Sequence, residues 1–161
     1  MIVCKSASEL VRMRTANALV ADVLGALEVM VLPGVTTLDL DAVAESLVRE
    51  GGAEPSFKGY RGFPATVCAS VNEEVVHGIP SKRPLKAGDI VSLDVGVLLD
   101  GFYGDSALTV PVGEISVAAA KLLSVTEQSL ERAISAVRAG ARVSDLGHAV
   151  QHYVEANGYS V

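Results

Sequence analysis

The dipeptide Asp100-Gly101 constrains the fold more than any other feature, because it lies between two stretches in which apolar and polar residues alternate. Asp-Gly supplies the two positive-φ positions of a tight turn, so the sequence predicts a β-hairpin over residues 89–113. If the loop consists of these two residues alone, Leu99 pairs with Phe102. Counting outward from the turn then fixes every other cross-strand pair.

In this register two aspartates lie on the same face of the hairpin. Asp94 pairs with Ala107 and Asp105 pairs with Gly96, which makes the carboxylates diagonal neighbours about 7 to 8 Å apart at the backbone. The rest of their face carries small residues. The opposite face is apolar and is expected to pack against helices; it carries Val91, Leu93, Val95, Val97, Leu99, Phe102, Leu108 and Val110.

Two carboxylates this close repel each other unless a proton or a cation lies between them. The pair therefore indicates a site for one or two divalent metal ions. The simpler alternative is that both acids lie on a solvated sheet face and have no further role, which is common in antiparallel sheets.

Composition excludes several classes of protein. The chain has 161 residues, half of them apolar, which suits one domain with a substantial core. A net charge of −6 argues against nucleic-acid binding, which needs a basic surface. The longest apolar stretch, residues 18–32, contains two acids and is too short to span a membrane. No secretory signal is apparent, and Cys4 and Cys68 lack metal or redox spacing, so we expect a cytoplasmic protein with reduced thiols.

Apolar residues at helical spacing predict four helices. The first begins at a capping box of Ser6 and Glu9 and ends at Pro33-Gly34, and the second covers residues 37–50. After the hairpin, two further helices are expected over residues 117–138 and 144–156.

The second pair of helices repeats the first. A shift of 106 residues, which is the separation of Gly34 and Gly140, also superposes Asp39 on Asp145, Val48 on Val154 and Gly52 on Gly158. We therefore interpret residues 1–161 as one domain in which residues 1–115 form a first repeat and residues 116–161 begin a second.

Three histidines are candidates for function. His77 follows an alternating stretch, residues 66–76, which predicts a strand that ends where a side chain can overhang a site; a simple strand cap is the alternative. His148 and His152 have the i, i+4 spacing of a metal-binding pair, but the apolar residues of their helix favour a solvated pair. Residues 56–67, with two glycines and three aromatics, predict a structured loop.

Two long runs, YRGFPATVCASVNEEVVHGIP (residues 60–80) and LKAGDIVSLDVGVLLDGFYGDSALTVPVG (residues 85–113), resemble the bacterial type I methionine aminopeptidases. The resemblance extends over essentially the whole chain. It implies the α+β pita-bread fold, in which helices back a curved antiparallel sheet in two pseudo-symmetric halves, with the second half incomplete here. It also implies a cytoplasmic metalloprotease that removes the N-terminal methionine from peptides and nascent proteins.

The resemblance assigns roles by position. Asp94 and Asp105 match the first two of five metal ligands, and His77 matches a catalytic histidine that contacts the substrate near the scissile amide. Positions that line the pocket for the methionine side chain match Tyr60, Phe63 and Cys68; a tyrosine is commoner at position 63. The implied cofactor is a pair of divalent ions, and Co, Mn, Fe and Zn all suit a mixed carboxylate and imidazole site.

The family also has a third ligand in a CGHGIG-like stretch, a second catalytic histidine and two glutamate ligands, and these have no counterpart in the 161 residues. We therefore expect the chain alone to bind metal weakly and to be inactive, with a complementary C-terminal portion completing the site. The alternative is a non-catalytic module of the same fold that binds another subunit, or itself, through an open sheet edge. Proline-specific peptidases also share the fold, but the loop of residues 60–68 fits them less well.

Overall fold

The structure is a computed structural model that describes residues 3–161. The chain divides into two compact units whose boundary lies between Ile115 and Ser116. None of the described helices is long and apolar enough to cross a membrane. In chain order the elements are α1 (Ala7–Glu28), α2 (Thr37–Glu50), β1 (Glu54–Pro55), a 3-10 turn (Tyr60–Gly62), β2 (Val67–Val71), β3 (Ile90–Leu99), β4 (Phe102–Pro111), α3 (Val117–Ala136) and α4 (Val143–Ala156).

The hairpin of β3 and β4 has the register that the Asp-Gly turn predicts. Leu99 pairs with Phe102, and the pairing continues without a bulge to Ile90 and Pro111. Asp100 and Gly101 have φ values of 50° and 78°, which are the positive values that this two-residue turn requires. The prediction for the hairpin is therefore confirmed residue by residue.

Strand β3 is the centre of a four-stranded antiparallel sheet. Its one edge pairs with β4 along the whole strand, and its other edge pairs first with β2 and then with β1. In this second ladder Cys68 lies opposite Asp94, and Ser70 lies opposite Ser92. The side chains of Cys68 and Ser70 therefore face the same surface as the two aspartates.

The outer edge of β2 is closed by hydrogen bonds from its own chain. Three alternate backbone N–H groups point away from β3, and each has an acceptor. Val67 donates to Oδ1 of Asp41 at 2.8 Å, Ala69 donates to the carbonyl of Gly78 at 2.9 Å, and Val71 donates to Oε2 of Glu74 at 2.9 Å.

Helices α1 and α2 cover the apolar face of the sheet. Gly104 of β4 allows α1 to approach closely, because a Cβ atom at this position would lie 2.6 Å from the carbonyl oxygen of Ala16. The core of this unit is dominated by aliphatic side chains. Its fully buried members include Val20, Val23, Leu27, Leu40, Val48, Val67, Val91, Leu93, Val95 and Val97.

The helices largely follow the sequence. Ser6 and Glu9 form the predicted capping box, and α2 occupies the predicted residues. Helix α1 ends at Glu28, several residues before Pro33, where the N–H groups of Met30 and Val31 donate to the carbonyls of Leu27 and Glu28 and tighten the last turn. Helices α3 and α4 lie within two residues of the predicted bounds.

One predicted strand is wrong in length. We expected it to run over residues 66–76 and to end at His77, but β2 stops at Val71. Asn72 adopts a φ of 57°, a left-handed conformation that asparagine tolerates, and the chain folds back along β2. His77 therefore lies on a returning segment and does not extend the strand.

The second unit consists of α3 and α4, which pack against each other. The Oη of Tyr153 donates to Oε1 of Gln128 at 2.7 Å, and the guanidinium of Arg132 lies 4.0 Å from the centre of the Tyr153 ring. A groove of about 620 Å³ in this unit is lined by both helices, with Val125 and Val154 among its residues. The shift of 106 residues relates these positions to Leu19 and Val48, of which Val48 belongs to the hydrophobic core of the first unit and Leu19 packs against it. The repeat itself stays a prediction.

Candidate metal centre

Two carboxylates converge on the polar face of the β3–β4 hairpin. Asp94 comes from the central strand and is partly buried, whereas Asp105 comes from β4 and is exposed. Asp105 pairs with Gly96 and Asp94 pairs with Ala107, so the two side chains are diagonal neighbours on one face, as predicted.

The Oδ1 atom of Asp94 is buried and has no hydrogen-bond partner in the described part of the chain. An unpaired buried carboxylate oxygen is costly, and a bound cation is one of the partners that can satisfy such an atom. Burial raises the pKa of Asp94, and the negative charge of Asp105 raises it further, while His77 acts in the opposite direction. A cation between the two acids would relieve both unfavourable effects.

These donors fit a divalent metal ion, but they provide only part of a coordination sphere. Carboxylate oxygens are suitable ligands for hard and borderline divalent cations. Over residues 3–161 no group of three or more His, Cys, Asp or Glu side chains is arranged to hold a metal. The chain as described therefore offers the carboxylate pair of Asp94 and Asp105 alone.

Cys68 lies beside this pair. It is opposite Asp94 in the ladder of β2 and β3, and its side chain is buried. Burial raises the pKa of the Cys68 thiol to about 11, and the charges of Asp94 and Asp105 contribute to the increase. The thiol is therefore neutral at physiological pH and behaves as a small apolar group.

His77 approaches the carboxylates from the segment that returns along β2. The residue is exposed and has a φ of 58°, a conformation that non-glycine residues seldom adopt. The charge of His77 lowers the pKa of Asp94. The next residue, Gly78, is hydrogen-bonded to Ala69 and Ser70 of β2, and Ser70 lies on the sheet face of Asp94. The role of His77 at the site stays a prediction, and its backbone path differs from the strand that the sequence predicted.

Tyr60 and Phe63 belong to a compact loop before β2. Phe63 donates to the carbonyl of Tyr60 at 2.9 Å, and Gly59 donates to the carbonyl of Phe63 at 2.8 Å. The ring of Tyr60 is 64% exposed, whereas Phe63 is partly buried. The predicted structured loop is confirmed, and a role of the two rings in binding stays a proposal.

Sequence reasoning missed the contribution of Ser56 and Phe57. The backbone N–H of Ser56 donates to the carbonyl of Gly96 at 3.0 Å, and a Cβ atom on Gly96 would lie 2.5 Å from Cε1 of Phe57. The Phe57 ring thus covers the strand position that pairs with Asp105. A glycine inside a strand pattern indicates such a close approach, and Gly96 was the signal that could have identified it.

His148 and His152 lie on α4 in the second unit and are both exposed. Their rings are stacked with centroids 5.8 Å apart. Neither residue belongs to a group of three or more potential ligands among residues 3–161. This arrangement agrees with the solvated pair that the helix pattern favours.

The chain is similar to known proteins over its full length. It is 49% identical to the methionine aminopeptidase of Clostridium acetobutylicum and 50% identical to methionine aminopeptidase 1 of Bacillus subtilis, covering all of this chain and 65% of each relative. The crystal structure of the methionine aminopeptidase from Rickettsia prowazekii superposes on the whole chain with a TM-score of 0.98 at 39% identity, again over 65% of that protein.

The chain thus spans slightly less than two thirds of the length of these relatives. The structural likeness confirms the pita-bread α+β fold, with helices that back an antiparallel sheet. The sequence also matches the metallopeptidase family M24 over residues 11–161, which is nearly the entire chain. The chain therefore belongs to metallopeptidase family M24.

Proposed function

We propose that this chain provides the carboxylate pair and the methionine pocket of a methionyl aminopeptidase, which removes the N-terminal methionine from peptides and nascent proteins. The observation that carries the proposal is the buried, unpartnered Oδ1 of Asp94 next to Asp105. The identity of about 50% to two methionine aminopeptidases supports the same function.

In this proposal Asp94 and Asp105 are ligands for a pair of divalent ions, with Co, Mn, Fe and Zn as the candidates. When bound, such ions polarise the carbonyl of the scissile amide. The central strand fixes Asp94, and the Asp-Gly turn fixes the register of Asp105 against it, so the carboxylates are preorganised by backbone pairing.

The remaining residues bind the substrate. His77 is proposed to donate or accept a hydrogen bond near the scissile amide. Tyr60, Phe63 and Cys68 are proposed to form the pocket for the methionine side chain, and the neutral thiol of Cys68 supports this role because a thioether favours soft, apolar surroundings.

The proposed location is the cytoplasm, and the proposed substrates are peptides with a free N-terminal methionine. The 161-residue chain alone is expected to release no methionine, since residues 3–161 bring together only two ligands. A complementary polypeptide that supplies further ligands is the proposed partner.

The first test is Mn²⁺ binding, measured by titration calorimetry or by the electron spin resonance of free Mn²⁺. Wild type is expected to bind in the millimolar range, because two carboxylates make a weak site. Asp94→Asn and Asp105→Asn are expected to abolish saturable binding, whereas Asp100→Asn, an acid of the turn on the same hairpin, is the matched control that retains it. Equal binding by wild type and Asp94→Asn would contradict the proposal.

The second test is methionine release from a Met-Ala-Ser peptide in the presence of Mn²⁺ or Co²⁺. The 161-residue chain is expected to be inactive, and a complex that contains a ligand-bearing C-terminal portion is expected to be active. Asp94→Asn in that complex is expected to be inactive. Activity that survives Asp94→Asn would show that the carboxylate pair does not take part.

A further inference from the structure

Residues 72–78 form a strap that returns along β2 from the end of the strand to Gly78. Asn72 begins the strap and is fixed on both sides: its N–H donates to the carbonyl of Ile90 at 3.0 Å, and its side-chain amide donates to Oδ1 of Asp89 at 2.8 Å. Oδ1 of Asn72 accepts in turn from the N–H of Ile90 at 3.0 Å. One end of the strap is therefore attached to the beginning of β3.

The other end of the strap is attached to β2 by two hydrogen bonds at Gly78. The carbonyl of Gly78 accepts from the N–H of Ala69 at 2.9 Å, and the N–H of Gly78 donates to Oγ of Ser70 at 3.0 Å. Ser70 is only 4% exposed, and its hydroxyl lies on the same sheet face as Cys68 and Asp94. A buried side chain of the metal-site face thus binds the residue that follows His77.

Gly78 is also the position where the strap lies closest to the sheet. A Cβ atom here would lie 2.8 Å from Cα of Ser70 and closer to the Ala69 carbonyl oxygen than van der Waals contact allows. Both contacts are with backbone, so they cannot be relieved by moving a flexible side chain. Only glycine permits this approach.

We propose that Ser70 and Gly78 are positioning residues that hold His77 beside Asp94 and Asp105. The positive φ of His77 is consistent with this role, because an uncommon backbone conformation persists only where its surroundings determine it. The functional importance of this placement rests on the proposed function, in which His77 contacts the substrate next to the carboxylates.

The test uses nuclear magnetic resonance of the 161-residue chain without metal. In wild type, Asp94→Asn is expected to shift the ring signals of His77, because His77 adjoins Gly78, which is bonded to the sheet face that carries Asp94. In a Ser70→Ala background, Asp94→Asn is expected to shift the His77 ring signals much less. Hydrogen exchange of the Gly78 amide is also expected to be about tenfold faster, since the hydrogen bond from this amide to Ser70 is lost. Gly78→Ala is expected to reduce the His77 response in the same way.

Ser92→Ala is the matched control. Ser92 lies opposite Ser70 on the same face, but its hydroxyl is hydrogen-bonded to Thr109 and not to the strap. It is expected to leave both the Gly78 exchange rate and the His77 response as in wild type.

An unchanged His77 response in Ser70→Ala, or an equal loss in Ser92→Ala, would overturn the proposal. Neither measurement uses a metal ion or activity. Failure of Mn²⁺ to bind would therefore contradict the proposed function and leave the outcome of this test unaffected.

Discussion

Cys68 and Asp94 are directly opposite each other in the antiparallel register of β2 and β3, so a buried thiol is the cross-strand neighbour of a carboxylate. Burial and the nearby charges raise the pKa of this thiol to about 11. Only about 0.1% of Cys68 is then thiolate at pH 8, and the thiolate is the species that reacts with alkylating agents.

The first prediction is that iodoacetamide distinguishes the two cysteines of the folded protein at pH 8. Cys4 is exposed and is expected to react first, while Cys68 reacts at least about 100-fold more slowly, because its thiolate is scarce and buried. Mass spectrometry of the labelled peptides measures both rates, and Cys4→Ser isolates the slow one. Equal rates before unfolding in urea would disprove the assignment.

The second prediction concerns stability and pH. The pKa of Asp94 is raised in the folded protein, chiefly by burial and then by the charge of Asp105. Between the pKa of Asp94 in the unfolded state and its higher pKa in the folded state, the folded protein therefore binds more protons. Stability is therefore lost as the pH rises from the usual range of an aspartic acid through the raised pKa. Asp94→Asn is expected to raise Tm at pH 7 without metal.

Solvent screening limits this gain to about 1 kcal/mol, or about 2–4 °C in a chain of this size. Thermal unfolding in EDTA, followed by circular dichroism, measures it, with Asp100→Asn as the control that is expected to change Tm little. A lower Tm for Asp94→Asn would mean that the carboxylate is stabilised in the apo protein by contacts that the structure lacks.

The third prediction compares one substitution at two glycines. Gly104→Ala places a Cβ atom 2.6 Å from the Ala16 carbonyl oxygen, so α1 must move from the sheet at an expected cost of about 1–3 kcal/mol. Gly25→Ala, in an exposed turn of α1 with no atom within 4 Å, is expected to stabilise the helix by about 0.5–1 kcal/mol. Urea unfolding measures both, and effects of the same sign would contradict the packing of α1 on β4.

The fourth prediction concerns Asp41, whose Oδ1 accepts hydrogen bonds from the N–H groups of Thr66 and Val67, each at 2.8 Å. Asp41→Ala leaves two backbone donors at the start of β2 without their acceptor and is expected to cost about 1–3 kcal/mol in the free energy of unfolding. Asp22→Ala, at an exposed position of α1, is the control that is expected to be nearly neutral. Similar losses for the two variants would argue against the anchoring role of Asp41.

The sequence predicted what depends on local patterns. The hairpin register followed from Asp100-Gly101 by counting, and α2 followed from apolar residues at helical spacing. The shared face of Asp94 and Asp105 was a consequence of that register. Each of these features is determined by residues close in sequence, which is why it could be predicted without knowledge of the tertiary structure.

The path of the chain around His77 depends on contacts between distant residues. The alternation of residues 66–76 continues past the true end of β2, but Asn72 bonds to Asp89 and Ile90, which are far away in sequence, and these bonds turn the chain. The packing of the Phe57 ring over Gly96 likewise depends on a contact between residues that are distant in sequence. The alternation of apolar and polar residues alone cannot show whether the strand continues or whether tertiary contacts make the chain reverse direction.

The bonded outer edge of β2 limits how copies of this sheet can polymerise. Stacking of chains by strand addition needs two open edges on every copy, because each copy must both receive and offer a strand. Asp41, Glu74 and the Gly78 carbonyl already occupy the outward N–H groups of β2, so a foreign strand would have to displace two carboxylates and a backbone acceptor. The outer edge of β2 is therefore poorly suited to strand addition, and edge-to-edge growth of the sheet through this strand is disfavoured.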